Sequence, residues 1–209
     1  NTPTSETTFN VRFYFFLDQV SADVTLFKAL DGDNLTGSRV ISATYDVSEG
    51  AVNVVFAHAG TGGTETVTIA PVASGWNSLE IQWEASATEI PTITLGNRGD
   101  AEDNVTSGQI DTSGLTINSV GLGALSVPAM VPDAGKIFFD DYDSRRDTVP
   151  GRLLKGDANG DGAVNSQDFV QVINEIAGSS VAEGIPDCNE DGEINSQDFV
   201  CVINTIVGQ

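Results

Sequence analysis

The chain has 209 residues, enough for one sizeable domain and a small second one. Nine basic residues face 30 acidic ones, a formal charge of −21, which excludes the basic face that nucleic-acid binding requires. No apolar run is long enough to span a bilayer. Asn1 opens a polar stretch, "NTPTSETT", with neither the pattern of a signal peptide nor an initiator methionine. It reads as the mature start of a secreted, extracellular protein whose signal peptide is already removed.

Residues 8–146 read as strands. In order they are "TFNVRFYFFLD", "DVTLFKAL", "RVISATYDV", "AVNVVFAHA", "ETVTIAP", "NSLEIQWEAS", "PTITLG", "LTINSVGLG" and "KIFFDDYD". All are short, rich in Val, Ile, Thr and Phe, and separated by Gly, Asp, Asn and Ser. In "NSLEIQWEA" Leu79, Ile81 and Trp83 share one face, and Ser78, Glu80, Gln82 and Glu84 the other. About nine such strands without a long helix predict an all-β sandwich over residues 1–146. The cadence of residues 8–146, with "GWNSLEIQW" and the closing "IFFDDYDSRR", resembles the laminin-G-like and concanavalin-like jelly rolls. The resemblance implies a fold more than a function.

Within this region few residues point to chemistry. Glu80 and Glu84 flank Gln82 on one strand face, which resembles the E-x-D-x-E strand of retaining β-glucanases. The middle acid is missing, and the expectation is a solvated polar face. His58 is the only histidine and defines no catalytic triad. Trp76 has the parity opposite to Trp83 and is the one candidate glycan platform. Tyr14, Tyr45 and Tyr142 read as core or edge residues. Asp140, Asp141, Asp143 and Asp147 read either as a cation site or as a charged strand end. The "RGD" at Arg98–Asp100 is a lone tripeptide, and Asn34 and Asn104 begin glycosylation sequons of low specificity.

"SRRDTVPGRLLKG" (144–156) follows and holds four of the nine basic residues. Residues 147–155 read as a short basic linker, too short for a long flexible tether. Residues 156–209 then form a second domain. "GDANGDGAVNSQDFVQVINEI" begins at Gly156, and "PDCNEDGEINSQDFVCVINTI" begins at Pro186; the two agree at 14 of 21 positions. Each contains D-x-N-x-D-G-x-x-N-x-x-D. Calcium is a hard cation that takes six to eight oxygens at about 2.4 Å, and a twelve-residue loop supplies them from positions 1, 3, 5, 7, 9 and 12. In the first loop these are Asp157, Asn159, Asp161, the Ala163 carbonyl, Asn165 (directly or through water) and Asp168. In the second they are Asp187, Asn189, Asp191, the Glu193 carbonyl, Asn195 and Asp198. Gly162 and Gly192 make the sharp turn.

The helix that precedes an ordinary EF-hand loop is missing here, but a helix follows each loop. Phe169, Val172, Ile173 and Ile176 fall at i, i+3, i+4 and i+7, as do Phe199, Val202, Ile203 and Ile206, which predicts the core stripe of each helix. Asn165 and Asn195 are the predicted caps, with Asp168 and Asp198 three residues on. Loop plus following helix, twice, with Asp at position 12, resembles the type I dockerin family over 156–207. That resemblance implies two calcium ions, pseudo-twofold symmetry and a protein partner of the cohesin type, itself a jelly-roll β-sandwich. Carried over, its partner-binding positions are Ser166, Gln167, Val170 and Asn174, with Ser196, Gln197, Val200 and Asn204 in the second repeat. The competing reading is a helix edge packed on its own domain. A basic pair that many members carry midway along the helix is missing, so known cohesin specificities do not transfer.

Ala158 and Gln171 of the first repeat become Cys188 and Cys201 in the second. This paired change reads either as a disulfide tying loop to helix, which suits an extracellular protein, or as two free thiols. The expected function is non-catalytic, calcium-dependent assembly. The partner is a cohesin-like sandwich or another copy of this chain in a head-to-tail filament. The alternative is a carbohydrate-binding module that takes a polysaccharide and is attached by its dockerin to a scaffold.

Overall fold

Strand alternation organises the first unit. β1 (Thr8–Asp18) sends Phe9, Val11, Phe13 and Phe15 to one side, where each is fully buried. Asn10, Arg12, Tyr14 and Phe16 fall on the other side by the period of two. β2 (Val24–Leu30), β3 (Arg39–Asp46), β4 (Ala51–Ala57) and β5 (Thr64–Ile69) follow. After them come β6 (Trp76–Glu84), β7 (Thr92–Asn97), β8 (Glu102–Thr106), β9 (Ser119–Ser126) and β10 (Lys136–Arg145). They form two five-stranded antiparallel sheets, in the orders β10-β1-β6-β7-β8 and β5-β4-β3-β2-β9. This computed structural model describes residues 3–60, 62–97, 102–126, 135–150, 154–182, 184–189 and 191–208. The tripeptide at 98–100 and the linker residues Arg152 and Leu153 lie outside the described residues.

The inner faces of both sheets form one core. Leu79, Ile81 and Trp83 of β6 enter it, as the alternation in "NSLEIQWEA" predicts. Phe27 from the opposite sheet lies between Phe9 and Phe13, with ring centroids 6.5 and 5.7 Å away. Such aromatic pairs add about 0.5–1.5 kcal/mol each beyond their buried area. Arg146, just beyond β10, closes the unit. Its Nε lies 3.0 Å from Glu6 Oε2, and its guanidinium carbon stands 4.9 Å from the Phe9 ring centroid. Arg145 pairs with Asp143 on its own strand at 2.9 Å. That ion pair favours the charged strand end over a cation site.

Two expectations need correction. The strand series has a tenth member, β8, whose sequence EDNVT lacks apolar alternation. It pairs with β7 alone and forms the sheet edge. A short acidic edge strand discourages pairing with another chain, so edge position overrides weak strand propensity. The polar face of β6 is also not uniformly solvated. Glu80 is buried and accepts a hydrogen bond from Gln82 Nε2 at 3.1 Å, whereas Glu84 is exposed.

The chain divides into two compact units that change over between Pro150 and Gly151. The second contains α1 (Ser166–Ile176) and α2 (Ser196–Val207). Phe169 and Phe199 occupy equivalent positions on the two helices and meet at 4.5 Å between ring centroids. Around them lies a small core of Ala158, Val164, Val172, Cys188 and Val202. Among the described residues no helix is long and apolar enough to cross a membrane.

Candidate metal and docking site

Each loop is wound around its first aspartate. Asp157 Oδ1 accepts from the amides of Gly160 at 2.8 Å and Asp161 at 3.1 Å, and Oδ2 accepts from Gly162 at 2.9 Å. Asp187 does the same with Asp191 at 3.2 Å and Gly192 at 3.0 Å. The turn needs glycine at the sixth position. Gly162 and Gly192 have φ of +87° and +86°, a region that side chains disfavour. Asn159 Oδ1 and Asp161 Oδ1 accept from the amides two residues on, at 2.9 and 3.0 Å. Asn189 and Asp191 repeat this at 3.0 and 2.9 Å.

The twelfth position ties loop to helix. Asp168 is fully buried; its Oδ1 accepts from Asn159 N at 3.0 Å and its Oδ2 from Asn165 N at 2.8 Å. Asp198 is equally buried and bonds Asn189 N at 3.2 Å and Asn195 N at 2.8 Å. The reciprocal half of each capping box is the asparagine side chain. Asn165 and Asn195 accept from the amides of Gln167 and Gln197, both at 2.8 Å. One aspartate therefore caps the helix and closes the loop at once. Asparagine at position 9 already uses its side-chain oxygen as a helix cap.

The loops offer only oxygen donors: three carboxylates, two carboxamides and a backbone carbonyl each. That set fits a hard divalent cation and not a soft one. Burial pushes the Asp157 carboxyl above its usual range, three loop amides oppose this, and the nearby Asp168 charge reinforces it. Crowded anions of this kind are what a divalent cation neutralises. Among the described residues, those of the two loops included, no three His, Cys, Asp or Glu side chains are drawn together into a metal-holding group. The carboxylates instead point at loop amides.

Cys188 and Cys201 form a disulfide with Cα atoms 5.8 Å apart, thirteen residues apart in sequence. Cys188 occupies the buried loop position that Ala158 fills in the first repeat. Gln171, the counterpart of Cys201, instead donates to Ser180 Oγ and the Val181 carbonyl, both at 3.1 Å. The loops are also joined through backbone: Ile185 N donates to Asp157 O at 2.7 Å and Gly184 N to Ala158 O at 3.1 Å.

The helix faces depart from the expected core stripes. Val172 and Val202 are fully buried, and Phe169, Phe199 and Ile206 pack against the core. Periodicity assigns Ile173, Ile176 and Ile203 to the core, but they are 42%, 46% and 37% exposed. Two short helices packed against each other cover a narrower stripe than a helix laid on a large core. Val170 and Val200 are 53% and 51% exposed, and each shares its exposed face with the isoleucine three residues on. Ser166, Gln167, Ser196 and Gln197 are exposed at the helix starts, and Asn204 is exposed; Asn174 is half-buried and takes the Ser179 hydroxyl at 3.0 Å on its carbonyl. Ile173 and Ile203 are the residues that sequence reasoning missed on this face. In the sandwich, Trp76 lies half-buried on the side of β6 opposite Trp83, and His58 sits in the turn after β4.

Residues 155–207 match the family model of the dockerin type I domain, so the second unit is a dockerin-type module. No curated protein sequence matches the chain. Among solved structures it is similar to the PL-14 alginate lyase from Aplysia kurodai, at 7% identity and a TM-score of 0.50, covering 68% of this chain and 71% of that one. It is also similar to sheep galectin-11, at 12% identity and a TM-score of 0.41, covering 68% and 94%. An endo-β-1,4-glucuronan lyase from Trichoderma reesei matches at 13% identity and a TM-score of 0.40, covering 69% and 70%. At these identities the first likeness shows the fold of the sandwich and nothing of its chemistry.

Proposed function

We propose that this is an extracellular, non-catalytic assembly protein whose C-terminal module docks onto a β-sandwich partner when calcium is bound. Each loop takes one ion, two in all. Asp157, Asn159, Asp161, the Ala163 carbonyl and Asp168 hold the first. Asp187, Asn189, Asp191, the Glu193 carbonyl and Asp198 hold the second. Asn165 and Asn195 serve through water, since their side-chain oxygens cap the helices. When bound, calcium supplies positive charge that lets three carboxylates share one loop. Asp168 and Asp198 pass loop order on to the helices, because each is both ligand and cap.

The observation that carries this reading is the exposed apolar stripe repeated on both helices. Val170 with Ile173 and Val200 with Ile203 stand beside the polar ends Ser166–Gln167 and Ser196–Gln197. A small module with four exposed branched residues in two matched pairs has the anchors of an interface, with a polar rim to set register. Asn174 and Asn204 complete the stripe. The partner sandwich belongs to another molecule, and this chain carries such a sandwich itself. A head-to-tail contact that does not close would build a filament.

Sedimentation velocity across protein concentrations, in calcium and in a chelator, tests this. Calcium-dependent oligomers are expected, and Val170→Asp combined with Val200→Asp should weaken them at least 30-fold, about 2 kcal/mol. A protein that stays monomeric in millimolar calcium at high concentration removes self-assembly. Failure to bind any cohesin-type sandwich as well would remove docking altogether.

A further inference from the structure

Three aromatic side chains from three different strands stand in one row on the outer face of the sandwich. In the strand register Phe138 of β10 lies opposite Phe16 of β1, and Phe16 lies opposite Trp76 of β6. The ring centroids are 5.9 Å apart in both pairs, with interplanar angles of 38° and 39°. The core lies on the other side, where the sequence neighbours Phe15 and Phe139 pack. Phe138 is 45% exposed, and Phe16 and Trp76 are half-buried. A row of three large rings turned away from the core does not contribute to the sandwich interior and marks a surface with a use.

We propose that this row is a binding platform for a neutral polysaccharide whose chain runs across the strands. A pyranose ring presents an apolar face of C–H groups that stacks on an aromatic ring, with hydroxyls around its rim. The platform supplies both kinds of contact. Next to the aromatic row, Asp140, Tyr14 and Ser78 occupy the following register position on the same three strands. Tyr14 and Ser78 are buried, and the exposed Asp140 carboxylate is the group there that can accept from sugar hydroxyls, so apolar rings with a polar group beside them form the lining of a ligand site. Charge selects among glycans. A chain of −21 with Asp140 beside the platform repels polyuronates. A neutral glycan is therefore favoured over a polyanionic one. All platform residues belong to the first unit, so the inference does not depend on docking by the second.

Native affinity electrophoresis of the full chain in calcium, with hydroxyethyl cellulose or alginate cast in the gel, tests the platform. Tryptophan fluorescence gives a second readout, because Trp83 is buried in the core and a ligand-induced change reports on Trp76. The neutral glucan should retard the wild type, Phe138→Ala should bind about tenfold more weakly, and Trp76→Ala should not bind. Alginate should not retard any of them. Phe138→Ala removes an exposed ring, so it decides the matter if Trp76→Ala misfolds. Three results would overturn the proposal: no retardation by the neutral glucan, equal retardation by alginate, or unchanged binding in the folded variants.

Discussion

Replacing Cys188 by Ala and Cys201 by Gln converts the second repeat to the first repeat's own residues at those two positions. The first repeat shows that both are tolerated: Ala158 is buried in the module core and Gln171 makes two hydrogen bonds at its helix position. The change therefore removes the crosslink with little damage to packing. A bridge between residues thirteen apart restricts the unfolded chain by about 3 kcal/mol in the chain-entropy account. Among the described residues the module core has five buried members, so calcium binding is expected to provide most of its folding free energy. If two ions bind on folding, 3 kcal/mol divides into about 1.5 kcal/mol per ion, roughly a tenfold rise in the calcium needed. Calcium titrations of chelated protein, followed by helical circular dichroism at about 222 nm, would compare wild type and double variant. Intact mass before and after reduction, differing by two hydrogens, verifies the bond in the wild type. Coincident midpoints within twofold would refute the coupling of crosslink, folding and calcium.

Two further outcomes are expected. Asp157→Ala combined with Asp187→Ala removes the aspartate around which each loop is wound, and should abolish the calcium-induced gain in helical signal. A variant that still gains it would show that the loops are not the calcium sites. The Arg146 guanidinium holds the Glu6 carboxyl below its usual range. A lowered folded-state value contributes stability above the ordinary carboxylate range and loses it as pH falls through the folded value. Glu6→Gln should therefore cost the sandwich less than about 1 kcal/mol near neutral pH and nothing in strong acid. Urea unfolding at pH 7 and pH 3, followed by Trp83 fluorescence, measures the difference. A penalty that is the same at both pH values would mean that Glu6 acts through packing alone.

Features set by near neighbours were legible in the sequence. The loop motif, the glycine turn and the capping box each span at most twelve residues. Their geometry follows from backbone amides seeking the nearest carboxylate. Strand parity placed Trp83 inside and Trp76 outside, because side chains alternate along any strand whatever its partners. Features that depend on what lies opposite were not legible. Ile173 and Ile203 have the spacing of core residues, and only the packing of α1 on α2 leaves them exposed. EDNVT becomes a strand because β7 offers it an edge, not because its residues favour one. Glu80 is buried by the sheet around it. Phe16, Trp76 and Phe138 lie far apart in the chain, and no local pattern links them. They align because β1 runs between β6 and β10, and strand order with register is a property of the tertiary structure alone.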